Sequence, residues 1–127
     1  MLFGCSRSAI RNCATWLSSE PLTGGSFTPL PGADDPEYVH TDPVWTPDGK
    51  TLAWRATRRP GYESDRYELM VRPVKGGTPR SLTEGFDRSV AGLFWGPKGE
   101  HLYFHAEDQG DINLYRVPAR GGKIAPV

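Results

Sequence analysis

A chain of 127 residues with 15 Lys and Arg against 15 Asp and Glu carries no formal net charge, which excludes an electrostatic footprint for nucleic acid or an anionic membrane surface. With 37% hydrophobic residues, 15 Gly and 12 Pro, the composition is that of a turn-rich β protein, and no apolar run reaches the length of a membrane span. Neither nucleic acid nor membrane is expected as a partner.

Residues 1–14 fit none of the patterns that follow and are read as an unmatched leader, disordered or non-native. Leu2-Phe3-Gly4-Cys5 is similar to a lipoprotein cleavage box, but neither a charged region nor an apolar region precedes it. Cys5 and Cys13 lack the companion ligands that would make a metal site, and a disulfide between them has no support.

From Leu17 onward the chain repeats itself. One pattern places Leu, Pro, Gly-Gly and a closing aliphatic at Leu17, Pro21, Gly24-Gly25 and Leu30. It returns at Leu69, Pro73, Gly76-Gly77 and Leu82, and again at Leu114, Pro118, Gly121-Gly122 and Val127. A second pattern, WTPDGKTLAW from Trp45 to Trp54, returns as WGPKGEHLYF from Trp95 to Phe104. Such self-similarity means a repeat architecture in which each unit buries its faces against its neighbours.

Each pattern reads as strands and turns. Pro47 presets φ for a turn, Asp48 tolerates the next position, and Gly49 supplies the positive φ that closes a hairpin. After it Leu52, Trp54 and Ala56 alternate with Thr51, Ala53 and Arg55, the period of a strand, and Leu102, Phe104 and Ala106 do the same in the later copy. The Gly-Gly pattern adds a third strand near 67–74 and a short fourth ending at Leu82. One repeat is therefore a four-stranded antiparallel meander, the blade of a β-propeller. In chain order the expectation is a C–D hairpin in 15–42 with its connection, a full blade in 43–90 with its connection, and another in 91–127: an all-β partial propeller of about two and a half blades, where closed rings typically have about four to eight. The recurring slots predict the core as Trp45, Leu52, Trp54, Leu69, Trp95, Leu102, Phe104 and Leu114.

The stretches RRPGYESDRYELM (58–70), LTEGFDRSV (82–90) and YFHAEDQGDINLYRVP (103–118), with the two tryptophan patterns, resemble the propeller of the prolyl oligopeptidase family of serine peptidases, in its dipeptidyl-peptidase and acylaminoacyl-peptidase branch. The tryptophan patterns alone are shared with TolB-like and WD-like propellers. Gly96 and Lys98 depart from the blade signature, which usually has Ser and Asp there. The resemblance implies a domain that covers a separate α/β-hydrolase domain and restricts access to short peptides, with neighbouring blades and that domain as partners and no cofactor. Catalysis would belong to the other domain: the chain has no G-x-S-x-G elbow, and Gly4-Cys5-Ser6-Arg7-Ser8 lacks the closing glycine. No catalytic residue and no metal ligand are assigned.

Blade topology sorts the connections. The proline-glycine and Gly-Gly turns crowd one end, while segments 31–42, 57–66, 83–90 and 105–111 are expected as longer loops at the other, where binding residues concentrate. Two of these are highly charged: Arg58, Arg59, Glu63, Asp65 and Arg66 in one, Asp87 and Arg88 in the next. An exopeptidase has to hold a free α-amine, and Glu63 or Asp65 offers the carboxylate, with Arg66, Asp87 and Arg88 as the other candidate substrate-binding residues. The simpler reading, an ion-pair network in which Arg66 and Arg88 tie the acids of adjacent blades, is preferred, because surface charges pair more often than they bind. His40 is expected in a loop, His101 after a turn and His105 near a strand end, too scattered for zinc or catalysis. Two other readings stand beside the peptidase segment: a stand-alone TolB-like binding module, and a truncated gene product without independent function. The residues leave the compartment, cytoplasmic or periplasmic, open.

Overall fold

The computed structural model describes residues 8–13, 16–21 and 28–29 as backbone, and residues 39–57 and 66–127 with their side chains. These residues form strands and no helix, in three antiparallel sheets. The first sheet is β1 (Ser8–Cys13), β2 (Trp16–Pro21) and β3 (Thr28–Pro29). The second is β4 (His40–Trp45), β5 (Thr51–Thr57), β6 (Tyr67–Pro73) and β7 (Arg80–Ser81). The third repeats it as β8 (Val90–Trp95), β9 (His101–Asp108), β10 (Asp111–Pro118) and β11 (Ala125–Pro126). In each sheet the strands lie side by side in sequence order, the meander of a propeller blade.

The tryptophan pattern closes the first hairpin of each full blade. Gly49 N–H donates to Thr46 O and Gly99 N–H to Gly96 O, both at 2.9 Å, and both glycines sit at positive φ, 71° and 69°. In the second sheet Asp48 adds an Asx turn: its Oδ1 accepts from Thr46 Oγ1 at 2.6 Å and from Lys50 N–H at 2.9 Å. The Thr46 hydroxyl and then the Lys50 amide hold the Asp48 carboxyl below its usual range. The third sheet has Gly96 and Lys98 at these positions and keeps the turn without the carboxylate.

Register sets the core. Leu52 pairs with Arg72, Trp54 with Met70 and Ala56 with Glu68, so Leu52, Trp54 and Ala56 share a face with Met70, and with Trp45 they form one cluster. The opposite face of the second sheet, with Ala53, Leu69 and Val71, packs against Val90, Leu102, Phe104, Ala106 and Val117 of the third in a second, larger cluster. Polar groups also cross this joint. Arg55 of β5 lies 4.6 Å from the centroid of Tyr67, donates through Nε to Asp42 Oδ2 at 2.6 Å, and reaches Val90 O of β8 through Nη1 at 2.9 Å. In the other direction Trp95 Nε1 donates to Val44 O at 3.2 Å. Both first strands carry a register shift at matching places, between Thr41 and Val44 and between Val90 and Leu93; Asp42 at the first has φ 54°.

Four sequence expectations are corrected. Ser8–Cys13, inside the segment read as an unmatched leader, forms β1 and pairs with β2 from Ser8↔Pro21 to Cys13↔Trp16, so the described residues of the first sheet form three strands; the sequence of β1 carries neither blade pattern and gave no signal. Residues 105–111 are not a long loop. Strands β9 and β10 run on to Asp108 and from Asp111, joined by Gln109 and Gly110, both at positive φ (53° and 88°), the signature of a two-residue primed turn. His40 is a buried residue of β4, its Nδ1 accepting from Trp54 Nε1 at 3.1 Å. Leu114, expected in the core, is only half-buried, because its side of the third sheet is not covered by any described residue.

Candidate functional site

The connection from the second sheet to the third, residues 82–89, is fixed by bonds to β6. Leu82 N–H donates to Leu69 O at 2.8 Å and Leu69 N–H to Thr83 Oγ1 at 3.0 Å, so the hydroxyl of Thr83 continues the ladder where the backbone leaves it. Phe86 N–H returns to Thr83 O at 2.9 Å, and Ser89 Oγ accepts from Tyr67 N–H at 3.0 Å. A rigid loop results, at the end of the sheets opposite the glycine turns.

Phe86 is its anchor. The ring meets Phe104 edge-on at 5.5 Å and Tyr115 at 5.2 Å, and Phe104 in turn stacks on Tyr115 at 5.7 Å. Charged groups surround this aromatic base. Arg88 lies 5.5 Å from the Phe86 centroid and pairs with Asp87 Oδ1 and Asp108 Oδ1, each at 3.0 Å. The bond it donates to Asp108 is the main reason the guanidinium holds its proton more tightly than usual. Arg66 reaches Phe86 O through Nη1 at 3.5 Å.

Three of the five residues singled out from the sequence, Arg66, Asp87 and Arg88, thus gather around Phe86, while Glu63 and Asp65 lie outside the described residues, as do Arg58 and Arg59. The sequence analysis missed Phe86 and Asp108. A lone aromatic inside the charged LTEGFDRSV stretch was the available signal for the first; Asp108 was hidden by reading 105–111 as loop. Two carboxylates share one guanidinium here, and Asp87 keeps 79% of its side chain exposed against 29% for Asp108. With Arg66 on the Phe86 carbonyl, two acids and two bases meet around the ring and their charges balance; the exposed Asp87 carboxylate is the acceptor at the rim. Among the described residues no group of three or more His, Cys, Asp or Glu is placed to hold a metal, and no helix is long and apolar enough to cross a membrane.

Sheets of this order, the second laid face against face with the third, define a segment of a β-propeller. A TolB-type protein of Agrobacterium tumefaciens has the same arrangement: its structure superposes with a TM-score of 0.71 at 19% identity, over 94% of this chain and 41% of that one. No family model matches the chain. Curated relatives do. Dipeptidyl-peptidase 5 of Porphyromonas gingivalis is 34% identical over 87 residues, 68% of this chain and 13% of its own length. The protein of the same name from Trichophyton schoenleinii is 33% identical over 84 residues, and a relative from Emericella nidulans is 33% identical over 102, which is 76% of this chain. The chain is a propeller segment of the prolyl oligopeptidase family, related to the dipeptidyl-peptidase 5 proteins, and it spans only 12–14% of the length of these relatives.

Proposed function

We propose that this segment belongs to the substrate-gating propeller of a serine exopeptidase and contributes no catalytic residue of its own. The observation that carries the reading is the identity to dipeptidyl-peptidase 5 proteins, whose name denotes release of dipeptides from a free amino end. The loop end faces the hydrolase domain in this reading, and its acids receive the substrate α-amine. Glu63 or Asp65 is a further candidate on chemical grounds alone, since an exopeptidase has to hold a free α-amine. Asp87, exposed and held by Arg88 beside Asp108, is the described carboxylate best placed to share it, with Arg66 and Arg88 setting the shape of the loop.

The test is a chemical-shift titration of the 127-residue chain with a dipeptide amide and with its N-acetylated form. The reading expects the free amine to move the amides of residues 86–89 and 108, acetylation to abolish the response, and Asp87→Asn to weaken it. An equal response to both probes, or none to either, overturns amine recognition at this loop. An adequate response with the gating role absent would leave a TolB-like binding module, distinguished by whether the loop end also retains a separately expressed hydrolase domain of the Porphyromonas gingivalis relative.

A further inference from the structure

The neutral balance of the chain conceals a separation by end. Of the Lys and Arg residues described with their side chains, all but Arg55, Arg66 and Arg88 lie in the half of the sheets nearer the glycine turns, eight bases in all. Of the Asp and Glu residues so described, Asp48 and Glu100 alone lie in that half, and the other seven lie toward the connecting loops. The ion pairs are equally one-sided. Each one between described residues is made by Arg55 or Arg88, so no base at the turn end is neutralised by a paired described acid. Strands β9 and β10 have 8 residues each, which at about 3.3 Å per residue sets the two ends about 26 Å apart. Salt at physiological strength screens charge over about 8 Å, so the acids of one end do not cancel the bases of the other.

A recess of about 400 Å³, the size of a small-ligand site, opens at the turn end of the third sheet, lined by Glu100, His101, Pro118, Ala119 and Arg120. Its wall is held by the backbone: Ala119 N–H donates to Glu100 O and Gly121 N–H to Pro118 O, both at 2.9 Å. Arg80 of the second sheet is fastened to the same wall, its Nη2 donating to Ala119 O at 2.7 Å. Gly121 makes room for it, since a Cβ there, at φ 90°, would lie 3.1 Å from Arg80 Nη1. A guanidinium has several N–H donors and this bond uses one, so Arg80 keeps others to spare beside the recess. Pro73, Val74 and Lys75, which match Pro118, Ala119 and Arg120 one sheet earlier, stay exposed although the third sheet packs on that side of the second. Stacking of sheets therefore leaves such a recess open at the rim.

We infer that the turn end is a binding surface for peptide carboxylates, with an acidic residue or the free carboxyl terminus of a peptide seated in this recess and Arg80 and Arg120 supplying the donors. The planar fork of a guanidinium matches the two oxygens of a carboxylate. Pro118 and Ala119 offer apolar contact to the aliphatic part of the bound residue, which a bare inorganic anion lacks. Glu100 on the lining accepts one negative charge beside it at less cost than the two of a phosphate. A long polyanion is disfavoured for another reason: beyond the turn end it would run onto the half that carries seven acids against three bases. This surface lies at the opposite end of the sheets from the Phe86, Arg88 and Asp108 cluster and does not rest on the gating role.

The test is a chemical-shift titration of the full chain with N-acetylated Ala-Ala-Ala-Glu-Glu bearing a free carboxyl terminus, set against N-acetylated Ala-Ala-Ala-Gln-Gln amide and against inorganic phosphate. Acetylation removes the amine from both peptides, so failure here is distinct from failure of amine recognition at the loop end. The acidic peptide is expected to move the amides of residues 98–101 and 119–121 and to leave residues 86–89 in place, while the neutral peptide moves neither set. Its binding should weaken about fivefold or more when salt is raised from about 50 to about 300 mM, as an exposed charge contact must. Arg120→Gln should weaken it by a similar factor with the melting transition unchanged, and Arg80→Gln should do the same through loss of the second guanidinium. Arg120 is exposed, so its variant keeps the test valid if Arg80→Gln disturbs the turn. Phosphate is expected to leave these amides in place at the concentration that half-saturates the acidic peptide; an equal response to it would mean an adventitious ion only. That result, an equal response to the neutral peptide, no response to the acidic one, or unchanged affinity in Arg120→Gln overturns the inference.

Discussion

Trp54 and Phe104 occupy the same slot of the repeat, and both are 0% exposed, yet they are held by different means. Trp54 donates to His40 Nδ1 at the buried end of β4, whereas Phe104 is fixed by the rings of Phe86 and Tyr115. Trp54→Ala should lower stability by about 3–5 kcal/mol in chemical denaturation, since it combines lost burial with a cavity. Trp54→Phe should cost less, about 1–3 kcal/mol, because burial is largely kept while the donor to His40 is lost. Asp48 allows a test by pH. Its folded-state carboxyl is depressed, so the stability it contributes is present above the ordinary carboxylate range and is lost as pH falls through the lower folded value. Thr46→Val removes the leading cause of the depression and should move the Asp48 titration, followed by NMR, upward toward an ordinary aspartate. The tryptophan slots were legible because the same residue recurs in the same frame; His40 was not, since nothing repeats it and a histidine between Val39 and Thr41 carries no periodic mark.

Strands and turns divide along the same line. The proline-glycine turns could be read directly, each having a residue whose backbone preference dictates its place. The Gln109-Gly110 turn could not, because glutamine is an unusual choice for a positive φ and the acidic residues around it looked like loop. Its geometry predicts an asymmetry. Gly110→Ala should destabilise the β9–β10 hairpin by about 1–2 kcal/mol, the cost of forcing a Cβ into that conformation, while Gln109→Asn should raise the melting midpoint. Strand β1 was missed for a related reason: a strand with no proline or glycine signal beside it leaves only its pairing as evidence, and pairing is a property of two segments.

At the scale of the molecule, the stacked-sheet architecture followed from the period of the repeat, while the composition of the loop site did not. Asp87, Arg88 and Arg66 could be nominated by charge, but the aromatic base beneath them depends on Phe86, Phe104 and Tyr115 meeting from a connection and two strands, a convergence that no spacing in the chain displays. The joint between the second and third sheets lends itself to measurement. Arg55→Ala removes the stacked and paired guanidinium together with its bond to Val90 O, and hydrogen exchange should quicken in β8 while β9 and β10, paired within their own sheet, stay protected. Arg55→Lys should not restore the slow exchange, since one ammonium cannot span Asp42, Tyr67 and Val90 at once.

Burial alone is indifferent to sliding, because two oiled plates gain the same contact at many offsets. The bonds Arg55 to Val90 O and Trp95 to Val44 O cross the joint at the two ends of β8, so the register in which both are made is fixed at two points. They act as a pair of dowels. The distance between the loop that carries Asp87 and the strand that carries Asp108 is thereby set by the framework and not by the charges themselves, and any molecule bound there meets a gauge of constant width.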